Sequence, residues 1–151
     1  MDDTLSLAMR IAASGMHAQR MRIDVIAQNI ANAEATRTET GAPYRRRQVI
    51  FAAIPIKAKD FEAALWQQWR RFSGDVVGVR VVGVAEDPRP FREVFDPGHP
   101  DADARGIVKM PNVNVVEEMV DLTSASRGFE ANATVMEAAK KMFARTIDLL
   151  R

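Results

Sequence analysis

The distribution of proline divides this chain before any other feature is considered. All seven prolines fall between Pro43 and Pro111, so residues 1–42 and 112–151 lack the residue that most reliably breaks a helix. All eight methionines lie outside residues 22–109, and eight of the ten aromatic residues lie between Tyr44 and Phe95. This partition predicts a long helix, a compact middle segment and a second long helix.

Each flank carries a heptad seam. In the first, Leu5, Met9, Ala12, Met16, Gln19, Ile23, Ile26 and Ile30 recur at alternating steps of four and three, with Gln19 the one polar member. A helix over residues 4–32 would extend about 40 Å at roughly 1.5 Å per residue. In the second, Val115, Met119, Leu122, Ser126, Phe129, Ala133, Met136, Lys140, Phe143, Ile147 and Leu150 keep the same alternation. Asn114 followed by Glu117 forms a capping box just after Pro111. Gly128 is the flaw, destabilising a helix interior by about 1 kcal/mol unless a partner packs closely there. A two-helix hairpin alone would leave Ile11, Val25, Val116, Val120 and Val135 wet, which favours further helices from copies of the same chain.

The middle segment reads as small and β-rich. Tyr44–Ile56 and Val76–Val84 are strand candidates, and Gly78 and Gly83 suggest a bulge or a close backbone approach. Phe61, Leu65, Trp69 and Phe72 share one face of a short helix expected over 60–72. Phe91–Phe95 and Gly106–Met110 are expected as short edge strands around the loop Asp96–Arg105. The fold class is therefore mainly α with a small β-rich insertion, its long N- and C-terminal helices pairing as a coiled coil. The expected domains are an inner helix over 1–42, a middle segment over 43–111 and a second inner helix over 112–151.

Composition removes several functions. The chain has no cysteine, which excludes disulfides, thiolate catalysis and cysteine-ligated metal centres. A net charge of +1 argues against a nucleic-acid partner. No apolar run approaches the roughly 18 residues of a membrane span, and the opening residues Asp2 and Asp3 do not suit a cleavable secretory signal. Asp96, His99, Asp101 and Asp103 make an oxygen-rich loop, but the glutamate that completes an EF-hand is absent and the prolines mark turns, so a solvated turn is expected. Arg45, Arg46 and Arg47 would alternate between strand faces, which suits salt bridges between subunits or a solvated edge. Ser14, Ser124 and Ser126 have no histidine at a predictable spacing, and neither a phosphate loop nor an HExxH motif occurs. No catalytic, cofactor or metal residues and no small-molecule substrate are expected.

Two stretches resemble a known family. Ser14-Gly15-Met16 and Asn29–Arg47, with Asn29-Ile30-Ala31-Asn32, Thr36 and Gly41-x-x-Tyr44, resemble the N-terminal signature of bacterial flagellar rod and hook proteins. Val108–Asn132 resembles their C-terminal signature, and Val79–Gly106 narrows the resemblance to proximal rod proteins of the FlgC type. Gly128 is a departure, because the family often carries a bulkier residue there. The resemblance implies a structural subunit of the flagellar basal body, stacked helically into a hollow rod that crosses the periplasm and transmits torque to the hook. It implies paired terminal helices lining the tube, with the middle segment outside. It also implies self-association, contact with other rod proteins, and export through the flagellar type III apparatus without a cleavable signal. A soluble coiled-coil adaptor or export chaperone is the alternative.

On that reading the subunit interfaces are expected at Leu5, Met9, Met16, Ile23, Ile26, Asn29, Ile30 and Asn32 of the first helix. Met119, Leu122, Phe129, Asn132, Met136, Phe143 and Ile147 are expected to supply the second. Asn29 and Asn32 are expected to cap backbone groups or bridge to a neighbour. Methionine suits contacts that differ slightly around a helical lattice.

Overall fold

Two long helices enclose the β segments in sequence order. The computed structural model describes residues 2–55 and 76–149, with side chains for 6–54 and 78–148. Helix α1 runs Asp2–Ala31, strand β1 Arg47–Pro55, β2 Val76–Glu86, β3 Arg92–Phe95, β4 Ile107–Met110, and helix α2 Val115–Leu149. Each proline-free flank thus carries one helix, the first ending at Ala31, and the strands follow the expected segments except that β2 runs two residues past Val84. The helix expected over 60–72 lies outside the described residues, as does the side chain of Leu5.

The ends of the helices follow from local chemistry. Asn114 is the N-cap of α2: its Oδ1 accepts from the Val116 amide at 3.1 Å and its carbonyl accepts from the Glu118 amide at 3.0 Å. The Glu117 carboxylate reaches back to the Asn114 side-chain amide at 3.2 Å, a variant of the capping box. At the other boundary, α1 unwinds through tighter turns, with Ala33 donating to the Ile30 carbonyl and Ala35 to that of Asn32.

The strands make two separate pairs, β1 with β2 and β3 with β4. In the antiparallel β3–β4 pair, Glu93 stands opposite Lys109 and Val94 opposite Val108. Val108 is buried, whereas all four β3 side chains are exposed. Gly106 sits at φ +75°, and a Cβ there would lie 3.0 Å from the Phe95 ring and from Pro97, so both conformation and space require glycine. Gly78 is the close approach anticipated in β2: Ser14 of α1 occupies the place of its missing side chain and accepts from the Val79 amide at 3.2 Å.

The chain forms two compact units. The first comprises Met1–Gln19, Phe51–Val82 and Gly128–Arg151; the second comprises Arg20–Ile50 and Gly83–Arg127. The first unit buries Ala12, Ala18 and Ala139, and the second has a small apolar cluster of Ala33, Tyr44 and Val113. Replacing Asn114 by alanine should destabilise the chain by about 1 kcal/mol in chemical denaturation, because the first turn of α2 loses its cap.

Candidate functional site

The second unit is organised around a buried polar junction. Arg46 precedes β1, and only 8% of its surface is exposed. Its Nε donates to Glu118 Oε1 at 2.6 Å, its Nη1 to Asp87 Oδ2 at 3.3 Å, and its Nη2 lies 3.5 Å from Asp121 Oδ2. Glu118 is fully buried in the first turns of α2. Its second oxygen accepts from Asn29 Nδ2 at 2.9 Å. Asn29, also fully buried, exchanges two hydrogen bonds with the Arg47 backbone, at 2.8 and 3.0 Å, and accepts from the Tyr44 hydroxyl at 2.9 Å. Asn112 accepts from the Arg46 amide at 2.8 Å and donates to the Arg89 carbonyl.

Charges balance locally. Arg46 and Arg89 share Asp87, while Arg22 holds Asp121 at 3.0 Å. Hydrogen bonds from the Arg89 side chain and backbone, assisted by Arg46, outweigh burial and hold the Asp87 carboxyl down at about 2. Burial pushes the Tyr44 phenol up from its ordinary value.

The arginine run therefore does something other than expected. Arg46 is buried in an intrachain ion pair, and Arg45 donates to the carbonyls of Asp87 and Arg89 and lies 4.4 Å over the Phe91 ring. Only Arg47 keeps an exposed side chain, and even it lies over Tyr44. The spacing suggested alternating faces but could not indicate that Glu118, distant in sequence, would meet the middle one.

The second feature is apolar. Val116, Met119 and Val120 on α2 are 70%, 58% and 66% exposed and lie on one face at helical spacing. Val115 and Val116 continue this surface into an open groove of about 670 Å³ shared with Ala33, Pro90, Pro111 and Val113. In the first unit, Val135, Met142, Phe143 and Ile147 are exposed large apolar side chains on the same helix.

The residues expected at interfaces divide accordingly. Met119, Phe143 and Ile147 are exposed; Leu122, Phe129, Asn132 and Met136 are half-buried. On α1, Met9, Met16, Ile23, Ile30 and Asn32 are half-buried, while Ile26 and Asn29 are buried within the chain itself. Asn32 donates to the Gln28 carbonyl at 2.8 Å. The fully buried positions instead include Ala12, Ala18, Asn29, Glu118, Ala125 and Ala139, small or polar residues that a search for large apolar side chains passes over.

The acidic loop is occupied by its own backbone. Asp96 accepts from the Gly98 amide, and Asp103 accepts from those of Arg105 and Ile107, which hold its carboxyl below its usual range. His99 Nδ1 accepts from the Asp101 amide, and Asp101 accepts from Thr36. Among the described residues, no three His, Cys, Asp or Glu side chains are grouped to hold a metal ion.

Comparison with known proteins matches both ends of the chain. Residues 9–37 match the family described as flagella basal body rod protein, and residues 104–149 match the C-terminal region described for flagellar basal body rod FlgEFG proteins. A flagellar basal-body rod protein FlgC from Borreliella burgdorferi is 43% identical over 95% of this chain and 96% of its own length. Its counterpart from Bacillus subtilis is 38% identical over 94% and 95%, and that from Agrobacterium fabrum 40% over 99% and 97%. The chain belongs to the flagellar basal-body rod family, FlgC type. The polar junction of this rod-family chain draws on both matched ends, with Arg22 and Asn29 in the first and Asn112, Glu118 and Asp121 in the second, while Arg46 and Asp87 lie between them.

Two outcomes follow from the junction. Glu118→Ala leaves Arg46 buried beside a missing partner and should cost about 3–5 kcal/mol in equilibrium unfolding. Because the Asp87 carboxyl is depressed from 3.8 to about 2, its contribution is present above 3.8 and is lost as pH falls through about 2. The stability gap between the native chain and Asp87→Asn should therefore narrow over that interval; a gap independent of pH would contradict the assignment.

Proposed function

We propose that this chain is a structural subunit of the flagellar basal-body rod, assembling helically with copies of itself and with other rod proteins into the hollow shaft that transmits torque for motility. The family assignment supports this reading, and one observation about the fold carries it. Among the described residues of α2 the deeply buried side chains are Glu118, Ala125 and Ala139, small or polar, while Val116, Met119 and Val120 present an apolar face to water. Such a face on one helix calls for a neighbour.

In this reading the terminal helices pair as a coiled coil in the inner part of the tube. Contacts of Gly15 with Asn132 and of Gln19 with Gly128 support the pairing. The middle segment over 43–111 lies outside. The subunit interfaces form from Met9, Met16, Ile23, Ile30, Asn32, Met119, Leu122, Phe129, Asn132, Met136, Phe143 and Ile147, with Leu5 at the chain start. Ile26 and Asn29 act from within the subunit by shaping its surface. The chain reaches the periplasm through the flagellar type III export apparatus and works as a scaffold, with no catalytic step.

Val116→Asp and Met119→Asp test this reading. Both side chains are largely exposed, so the isolated chain should keep its stability within about 0.5 kcal/mol. Swimming and recovery of the chain in isolated basal bodies should both be lost. Normal swimming by both variants would refute the apolar face as an assembly surface.

A further inference from the structure

Each terminal helix carries a glycine followed four residues later by an amide side chain: Gly15 with Gln19 on α1, and Gly128 with Asn132 on α2. In the first unit these pairs are crossed. The Asn132 amide covers Gly15, where a Cβ would stand 2.7–2.9 Å from its atoms, and Gln19 covers Gly128, where a Cβ would stand 3.2 Å from Cδ and Nε2. The residue number rises along α1 as it falls along α2, so the two contacts have an antiparallel sense.

We infer that Gly15, Gln19, Gly128 and Asn132 form a reciprocal clasp that fixes the register and direction in which the two terminal helices pair within one chain. The inference rests on the helix pairing proposed above and names the residues that determine its specificity. The methionine positions beside the clasp are poor register marks, because flexible apolar side chains repack with little penalty. An amide that needs a glycine opposite is a strict mark. A slip of one heptad would set Gln19 against Asp121 or Val135 and Asn132 against Ala8 or Arg22, where a side chain fills the space that each amide needs.

Two further observations support the clasp. Asn132 cannot swing aside freely, because its Nδ2 donates to the Gly128 carbonyl at 2.8 Å. Gln19 Oε1 is buried with no hydrogen-bond partner among the described residues. A buried orphan acceptor destabilises the chain relative to an apolar residue, and a polar residue in a helix seam often selects one register at the expense of stability. Gly128, the weak point of the α2 helical sequence, is where the Gln19 side chain fits.

The test uses the sign of a substitution. Alanine in a helix interior ordinarily stabilises relative to glycine. Gly15→Ala in the full chain should instead lower the thermal midpoint of the purified protein. In cells lacking the chromosomal copy, it should reduce the amount recovered in isolated basal bodies by about tenfold. The double variant Gly15→Ala/Asn132→Ala, which removes the obstructing amide, should recover both readouts. A raised midpoint with native incorporation for Gly15→Ala would overturn the clasp, as would a double variant no better than the single one. If the unsubstituted chain itself were absent from basal bodies, the rod reading would fail, and the thermal midpoints would still decide the clasp.

Discussion

The guanidinium of Arg46 lies in a place where water cannot solvate it, and the second unit is arranged to replace that solvation. Glu118 from α2 and Asp87 after β2 supply the charge, and Asn29 from α1 and Asn112 before α2 complete the hydrogen bonding around them. Burying a charge pair is favourable only when the remaining polar atoms also find partners. One asparagine, Asn29, serves a carboxylate, a phenol and two backbone groups together. The junction therefore locates the end of α1, the start of β1 and the start of α2 more sharply than three small apolar residues could.

Holding helix ends with polar and small residues has a consequence for the surface. On the two helices Glu118, Asn29, Ala12, Ala18, Ala125 and Ala139 take the most deeply buried positions among the described residues, and many large apolar side chains of α2 stand beside or away from them. A monomer designed only for its own stability would reverse that choice. For a subunit of a helical shaft the arrangement is reasonable, because the area that stabilises the assembly must remain uncovered until neighbours arrive.

Much of this was legible in the sequence. Proline placement marked both helices, and the Asn114–Glu117 spacing marked the start of α2 nearly to the residue. The hidden parts were those depending on partners distant along the chain. Arg46 could be read only as one of three arginines, since nothing near it in sequence signals Glu118. On α2 the heptad seam runs along the edge of the buried stripe rather than its centre, whereas on α1 it includes the buried Ala12 and Ile26. Ala18, Glu118 and Ala125 are buried off the seam, and such residues carry little hydrophobic signal. Gly128 reads as a defect in isolation and as a fitted position once Gln19 packs over it.

Methionine oxidation offers the most direct test of an apolar face kept open for neighbours. Met119 and Met142 are 58% and 55% exposed in the chain alone. Footprinting by a brief oxidant pulse, compared between the dilute purified chain and isolated basal bodies, should show both sulfurs oxidised readily in the former and several-fold more slowly in the latter. Equal rates in the two samples would mean that these exposed surfaces of α2 stay wet in the assembly and are not where neighbouring subunits bind.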